Sequence, residues 1–287
     1  MIRAVIIAAL WLVATSITPQ VDVPSGMGWS VAWQQGDDMA ANGVALMPGV
    51  PWHNWIYDHL DNANYMPTAY SLRSSYQQQY IDAAVTHDAR LWLLGSEPNL
   101  ASTYIDPAEA AESVRMWVAE YAGPIACCGT VQWAGWQEWM DGYLLASGPK
   151  TPYCLIHIFD RFAYPPYREF QDWLAANDWQ CEILVTEAAN PWGSVADNII
   201  LMDGLARLVA DGRIRAVTAY SLYDWHNIWH VTDLTNADAT ELTPLGLHWL
   251  SLQPGGANDP RATATPEPTA TSEDGQPRRV WLPWARN

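Results

Sequence analysis

The chain has 287 residues, 49% of them hydrophobic, and a formal net charge of −17. Lys150 is the only lysine, so thirteen arginines supply nearly all of the positive charge. Such a chain has no basic surface for binding phosphates, and this excludes nucleic acid as a partner. Eighteen tryptophans and thirteen tyrosines outnumber three phenylalanines. Those rings combine an apolar face with a hydrogen-bonding edge, which suits the surface of a sugar.

The two ends of the chain differ in composition from the middle. Residues 1–16 combine a positive start, an apolar run and small residues, which predicts a signal peptide; an uncleaved N-terminal anchor is the alternative. Residues 254–277 are rich in Pro, Thr and Ala and predict a disordered linker. Residues 278–287 form a short basic and aromatic tail, which resembles C-terminal sorting or anchoring tails. We therefore expect a secreted or cell-surface protein without stable membrane insertion beyond the signal segment.

Residues 22–253 are predicted to form one domain. Their number is close to the ~250 residues typical of a (β/α)₈ barrel. Apolar runs that predict strands lie at residues 28–33, 50–57, 65–70, 91–95, 125–131, 154–159, 183–187 and 216–222. Among the first three strands, residues 44–47 are a competing strand candidate. Eight strands alternating with helices predict an α/β protein, a single-domain (β/α)₈ TIM barrel, and we expect a monomer.

Three helix starts are readable. Asp106 is a predicted N-cap, followed by Pro107 at the first helical position and Glu109 at the third. The predicted inward stripe of this helix consists of Val114, Trp117, Val118 and Tyr121. Ser194 is predicted to cap a later helix, and Thr243 to precede the last one.

Four cysteines in an exported chain raise the question of disulfides. One bridge from Cys154 to Cys128 or Cys181 is one interpretation, and buried free thiols are the other. His226 and His230 are four residues apart, but no third ligand accompanies them. The sequence therefore predicts no metal site and no other cofactor.

Two glutamates stand where an apolar run becomes polar. Glu97 follows the predicted strand 91–95, and Glu187 ends the predicted strand 183–187. In a barrel of parallel strands the carboxyl ends meet on one face, and that face holds the chemistry. We therefore expect both carboxylates in one cleft. An ordinary solvated loop acid is the alternative for each.

The segments around these glutamates resemble known catalytic motifs. Ser96-Glu97-Pro98-Asn99 and Thr186-Glu187 resemble the acid/base and nucleophile motifs of clan A glycoside hydrolases, especially of the catalytic-core group that includes small endo-β-1,3-glucanases. The resemblance extends over most of residues 26–252 through WHNW at 52–55, YMPTAY at 65–70 and LIHIF at 155–159. It implies that Glu97 is the general acid/base and Glu187 the nucleophile. In a retaining mechanism their carboxyl groups lie about 5 to 5.5 Å apart.

The resemblance also implies a set of substrate-binding residues. By position, His157 ends the predicted sixth strand and can orient a carboxylate, while Tyr220, Tyr223 and Trp225 follow the eighth strand and form either a sugar platform or part of the core. The set consists of Trp52, Asn54, Trp55, Tyr70, Ser96, Asn99, His157, Tyr220 and Trp225.

Two positions depart from the family pattern. Ser96 replaces an asparagine, so a contact to the sugar 2-hydroxyl is shortened or lost. Phe159 replaces a tyrosine and has no hydroxyl to donate to the nucleophile. Tyr153, Tyr164 and Tyr220 are the candidates to supply that hydroxyl.

The sequence thus predicts an exported, retaining glycoside hydrolase that needs no cofactor. The predicted partner is a β-linked polysaccharide, with endo action on β-glucan. The alternative, from a different class, is a barrel that binds polysaccharide without cleaving it and acts as a surface adhesin or sensor. The departures at Ser96 and Phe159 are what keep this alternative open.

Overall fold

The computed structural model describes residues 23–31, 36–55, 57, 62–87, 90–133, 135–223 and 229–253, apart from the side chains of residues 36 and 37. The predicted signal peptide, linker and tail lie outside these ranges and stay predictions, and so does every expectation about Trp225.

The chain folds into a barrel of parallel strands. The strands are β1 (Gly26–Ser30), β2 (Trp52–His53), β3 (Thr68–Ala69), β4 (Trp92–Ser96), β5 (Ile125–Val131), β6 (Tyr153–Phe159), β7 (Glu182–Ala189) and β8 (Ala216–Ala219). Their order in the sheet is β2-β1-β8-β7-β6-β5-β4-β3. A parallel bridge between Trp52 and Tyr65, just before β3, joins the two edges and nearly closes the barrel. The predicted (β/α)₈ fold in a single domain is confirmed.

Seven α-helices lie between or after the strands in the described part of the chain. They are α1 (Gly36–Leu46), α2 (Ser74–His87), α3 (Pro107–Glu120), α4 (Trp136–Leu145), α5 (Tyr164–Ala176), α6 (Val195–Ala210) and α7 (Pro244–Ser251). The described residues contain no helix with both the length and the apolar character to span a bilayer.

The three predicted helix caps are confirmed. Asp106 accepts a hydrogen bond from the backbone N–H of Ala108 at 2.8 Å. Ser194 and Asp197 bond reciprocally as a capping box. Thr243 accepts from the N–H of Gly246 at 3.0 Å, which satisfies a donor that the first helical turn cannot pair internally.

Three local expectations were wrong. Residues 44–47 form the end of α1 and the residue after it, not a strand. The second and third strands have only two residues each, shorter than the apolar runs at residues 50–57 and 65–70 predicted. Val118 is 55% exposed, since the buried stripe of α3 runs through Ala110, Val114 and Trp117 and leaves Val118 on its outer side.

Three hydrophobic clusters fill the barrel. A large cluster lies between strands and helices, where Trp92 packs on Trp117 with ring centroids 5.2 Å apart. A second cluster, centred on Leu93, Leu155 and Leu184, is formed by alternate strand residues. A third cluster of Val131, Phe159, Ala189 and Tyr220 gathers residues from the carboxyl ends of β5, β6 and β7 and the residue after β8. Apolar filling therefore extends to the end of the barrel at which the glutamates emerge.

All four cysteines are paired. Cys154 in β6 is bonded to Cys181, just before β7, with Cα atoms 5.8 Å apart, which selects one of the two partners considered from the sequence. Cys127 is bonded to its neighbour Cys128. The Cys154–Cys181 bridge spans α5, the crossover between two neighbouring strands, so it restrains the unfolded chain over a separation of 27 residues.

Replacing both Cys154 and Cys181 by alanine should lower the free energy of unfolding by roughly 2 to 4 kcal/mol, because the unfolded chain regains the entropy that the closed loop removed. Urea unfolding under non-reducing conditions measures the difference. Equal unfolding free energies for variant and wild type would show that this bridge does not hold the barrel together.

Candidate active site

Three ionisable side chains meet where β4, β6 and β7 end. His157 Nδ1 lies 3.3 Å from Glu97 Oε1 and 3.6 Å from Glu187 Oε2. One atom from each of the three side chains can be chosen so that all lie within 4.8 Å of one another. The two carboxylates predicted from the sequence to face one cleft therefore do so, with the imidazole between them.

The backbone at Glu97 is held in an unusual conformation. Its φ angle is 52°, in the left-handed region that non-glycine residues rarely adopt. The Glu97 N–H donates to the carbonyl of Gly129 at 2.7 Å. Its carbonyl accepts from the Leu100 N–H at 3.0 Å and from the Thr103 hydroxyl at 2.5 Å. Strain that neighbouring contacts fix in this way is typical of functional positions.

Gly129 in β5 makes room for this arrangement. A Cβ atom at this position would lie 2.5 Å from the carbonyl oxygen of Gly95 and 3.2 Å from His157 Nε2. Any side chain here would push the loop bearing Glu97 away or displace the imidazole.

Glu187 is the more deeply buried carboxylate. The Trp55 indole N–H donates to Glu187 Oε1 at 2.8 Å. Burial raises the pKa of Glu187 to about 7, and the negative charge of Glu97 adds to the rise. The charge of His157 and the hydrogen bonds from Trp55 and Ser96 act in the opposite direction.

The two nearby histidines have opposite protonation tendencies. Burial alone would lower the pKa of His157, but the charge of Glu187 and the hydrogen bond and charge of Glu97 raise it above its ordinary value. Burial lowers the pKa of His53 to about 4, so this ring is neutral. His53 Nε2 lies 2.6 Å from the carbonyl oxygen of Thr186, directly before Glu187. His53 therefore supports the backbone that carries the buried carboxylate.

Trp55 supplies the donor that Phe159 lacks. The tyrosines considered from the sequence included Tyr153, which begins β6 at the opposite end of the barrel. They also included Tyr164, whose hydroxyl accepts from Arg213 at 3.2 Å. The sequence had assigned Trp55 to substrate binding, and its contact with Glu187 was missed.

The other predicted site residues divide into two groups. Tyr70 and Tyr220 lie near the carboxylates. Burial raises the pKa of Tyr70, and the charges of Glu97 and Glu187 raise it further. The centroid of the Tyr220 ring lies 5.9 Å from that of Trp55. Three others make contacts inside the protein. Trp52 is 2% exposed and stacks on Trp29, Asn54 accepts a hydrogen bond from Tyr65, and Asn99 pairs with both backbone groups of Val131.

Three tryptophans at this end of the barrel were not predicted as site residues. Trp133 follows β5, Trp192 follows β7, and Trp229 lies in the segment after β8. Each stands beyond the carboxyl end of a strand, and that position is the signal by which the sequence could have found them.

Searches by sequence find no matching family model and no matching curated protein. Solved structures do match. A GH128 (subgroup II) endo-β-1,3-glucanase from Sorangium cellulosum is 21% identical, with 78% of this chain and 97% of that chain covered and a TM-score of 0.58. A GH128 (subgroup VI) exo-β-1,3-glucanase from Aureobasidium namibiae is 16% identical, with coverages of 80% and 96% and a TM-score of 0.62.

A third match is described as a GH128 (subgroup VII) oligosaccharide-binding protein, from Cryptococcus neoformans. It is 16% identical and covers 79% of this chain and 94% of its own, with a TM-score of 0.57. The likeness to clan A glycoside hydrolases, predicted from the sequence, is thus confirmed as a likeness of fold.

The raised pKa of Glu187 predicts a pH-dependent stability. A carboxyl group whose pKa is about 7 when folded and 4.5 in the reference state binds more protons in the native protein between those values. The contribution of this carboxyl group to the free energy of unfolding should therefore be complete at pH 4.5. It should fall as the pH rises to 7, by roughly 3 kcal/mol at most. Glu187→Gln should lack this fall, so its free energy of unfolding relative to that of wild type should increase between pH 4.5 and pH 7.

Urea unfolding at pH 4.5 and pH 7.5 measures this difference. Glu138→Gln, at an exposed position of α4, is the matched control and should follow the wild-type profile. Parallel profiles for wild type and Glu187→Gln would mean that the buried carboxylate is not destabilised by its surroundings.

Proposed function

We propose that the protein is a retaining glycoside hydrolase that cleaves β-glucan. The observation that carries this proposal is the pair Glu97 and Glu187, with carboxylate oxygens within 4.8 Å of each other at the carboxyl ends of β4 and β7. A separation of about 5 to 5.5 Å is what a double displacement needs, whereas inversion needs about 6.5 to 9.5 Å to accommodate a water molecule.

The proposed reaction has two steps. Glu187 attacks the anomeric carbon while Glu97 gives its proton to the leaving glycosidic oxygen, so the C–O bond breaks as the glycosyl–enzyme ester forms. Glu97, now ionised, then takes a proton from water, which attacks the same carbon and releases Glu187. The resemblance to known motifs assigns these roles. Geometry alone would serve the reverse assignment equally well.

The protonation states of Glu187 and His157 depend on each other. The pKa of Glu187 is raised to about 7 by burial, yet its proposed role requires the ionised form. Trp55 and Ser96 favour that form by hydrogen bonding, and a protonated His157 favours it by charge. The protonation of Glu187 is therefore linked to that of His157, because the charge of each group shifts the pKa of the other.

Charge and the comparisons favour a neutral β-glucan as the substrate. A net charge of −17 repels acidic polysaccharides, whereas a glucan carries no charge. The similar structures from Sorangium cellulosum and Aureobasidium namibiae are β-1,3-glucanases, one endo-acting and one exo-acting. We propose β-1,3-glucan as the substrate class and endo action as the mode, in an exported, monomeric protein.

Binding without cleavage is the second candidate function. The oligosaccharide-binding protein from Cryptococcus neoformans has the same fold, so the fold itself does not demand catalysis. The buried carboxylate favours hydrolysis, because a charged group with a raised pKa is costly to bury in a site that only binds neutral sugars.

Hydrolysis can be tested by release of reducing ends from a panel of polysaccharides that includes β-1,3-glucan and cellulose. Wild type should act on β-1,3-glucan, and Glu97→Ala should lower that rate by about 10² to 10⁴-fold, since proton transfer to the leaving group is lost. If wild type cleaves no β-glucan yet binds it, the protein belongs to the second candidate class. Full activity in both Glu97→Ala and Glu187→Ala would remove these glutamates from the mechanism.

The stereochemistry of azide rescue assigns the two roles. With an activated aryl β-glucoside, Glu97→Ala should still form the glycosyl–enzyme, and azide should attack it to give a β-glucosyl azide of retained configuration. In Glu187→Ala azide can occupy the vacated space and attack directly, which gives the inverted α-azide. Proton NMR of the two products distinguishes these outcomes. Reversed products would exchange the roles of the two residues.

Trp55→Phe should remove the donor to Glu187 while it keeps an aromatic ring. A hydrogen bond to a charged group is worth about 1.5 to 3 kcal/mol, so kcat should fall roughly 10- to 100-fold. Because the lost bond favours ionised Glu187, the acidic limb of the kcat/KM profile should move to higher pH. Trp133→Phe, in which no bond to Glu187 is lost, should leave that limb in place. An unmoved limb in Trp55→Phe would contradict the role given to this N–H.

A further inference from the structure

Strand β7 has one residue more than its neighbours at the level of the site. The consecutive residues Ile156 and His157 of β6 pair with Val185 and Glu187, which leaves Thr186 without a partner in β6. The pairing of β7 with β8 also shifts register over this stretch. Two residues of one strand that oppose a single residue of the next define a β-bulge. Thr186, directly before the proposed nucleophile, is therefore the bulged residue.

The bulge decides which face of β7 carries Glu187. Before it, Leu184 belongs to the cluster inside the barrel and Val185 to the cluster between strands and helices. After it, Ala188 belongs to that outer cluster and Ala189 to the cluster at the carboxyl end of the barrel. Because strand residues alternate between faces, residues 185 and 188 share a face only if one residue is extra. In an unbroken strand, Glu187 would face the helices with Val185.

Two buried side chains hold the bulged peptide group. The hydroxyl of Thr218 in β8 donates to the carbonyl oxygen of Thr186 at 2.5 Å, and His53 Nε2 lies 2.6 Å from the same oxygen. A carbonyl oxygen only accepts, so the proton of the neutral His53 ring is on Nε2. We call these two donors the Thr186 clamp. Both side chains are at most 2% exposed, so water does not compete with them for the carbonyl.

The segment that carries His53 also contacts the carboxylate itself. Trp55 is two residues further along, and its indole N–H donates to Glu187 Oε1 at 2.8 Å. The rings of His53 and Trp55 are nearly perpendicular, with centroids 6.2 Å apart. The end of β2 thus holds β7 at two adjacent points, the carbonyl of Thr186 and the side chain of Glu187. A shift of the bulged peptide group would therefore change the bond from Trp55 to Glu187.

We propose that His53 and Thr218 lock the bulge at Thr186 and act as positioning residues for the nucleophile. This inference rests on the proposed function, in which Glu187 is that nucleophile. A bulge interrupts the ladder of backbone hydrogen bonds, so the buried carbonyl needs other donors, and the clamp supplies them. A carboxylate held in this way needs no rearrangement before it attacks the sugar.

Thr218→Val is the direct test, because it keeps the shape of the side chain and removes one donor to Thr186. In steady-state kinetics on β-1,3-glucan, kcat should fall about three- to tenfold while KM changes little, since the nucleophile moves but the sugar contacts remain. The acidic limb of the kcat/KM profile should move to higher pH, because a longer bond from Trp55 favours ionised Glu187 less.

Thr68→Val is the matched control for this substitution. Thr68 in β3 is as buried as Thr218, but its hydroxyl has no hydrogen-bond partner in the described part of the chain. The same atoms are exchanged without the loss of a bond, so kcat and the acidic limb should match those of wild type.

Substitutions at His53 test the second donor. His53→Met removes the ring N–H and should lower kcat further than Thr218→Val does. His53→Gln can return an amide N–H to the carbonyl of Thr186 and should restore part of the rate. Because Met and Gln are similar in size, this rescue separates the hydrogen bond from packing. Should His53→Met fail to fold, the comparison of Thr218→Val with Thr68→Val decides the question.

The Nε1–H signal of Trp55 reports the position of Glu187 without turnover. In a spectrum of ¹⁵N-labelled indoles, this signal is assigned by its loss in Trp55→Phe. It should shift in Thr218→Val, as the bond to Glu187 lengthens, and stay in place in Thr68→Val.

The outcomes separate this inference from the proposed function. If wild type hydrolyses no glucan but the indole signal shifts in Thr218→Val, the clamp stands and the hydrolase assignment fails. If wild type hydrolyses β-1,3-glucan and Thr218→Val changes neither kcat, nor the acidic limb, nor the indole signal, the hydrolase stands and the clamp is overturned. A lower Tm in Thr218→Val without any of those three changes would likewise show that the clamp only stabilises the fold.

Discussion

Two carboxyl groups within 4.8 Å of each other in a largely buried site repel strongly when both are ionised. At an effective dielectric constant of about 20 the repulsion is on the order of 3 kcal/mol, enough to hold one proton in the cluster. His157 reduces this cost because its Nδ1 faces both carboxylates. The residues at this end of the barrel must therefore hold Glu97, His157 and Glu187 close together.

The barrel meets this constraint through backbone contacts as much as through side chains. Gly129 lets the loop after β4 and the imidazole approach β5, and its carbonyl fixes the left-handed backbone of Glu97. Asn99 pairs with both backbone groups of Val131 and fastens the same loop further along. His53 plays a similar part below Glu187 through the carbonyl of Thr186. Rigid strands thereby convert three separate sequence segments into one site.

Much of the fold and the positions of both glutamates were predictable, because local sequence patterns indicate them. The apolar runs of β4 to β7 are long, and each ends in polar residues, so strand and functional end could be read together. Two-residue strands such as β2 leave no periodic pattern, and their pairing depends on distant neighbours. Val118 was misplaced because the width of a buried stripe is set by the packed helices, which the sequence of one helix does not record.

The site was less predictable than the scaffold for a similar reason. The contact from Trp55 to Glu187 joins residues 132 positions apart, so no local spacing shows it. Motif resemblance pointed to a tyrosine hydroxyl and marked Phe159 as a loss, but an indole N–H from another strand end fills that role.

The central claim is that carboxylates this close perform a double displacement on β-glucan. Proton NMR during the first minutes of hydrolysis of a β-1,3-glucan hexasaccharide tests it most directly, because the anomeric form of the new reducing end is visible before mutarotation. The account predicts that the β-anomer appears first, as retention requires. Initial release of the α-anomer would show inversion and contradict the roles given to Glu97 and Glu187.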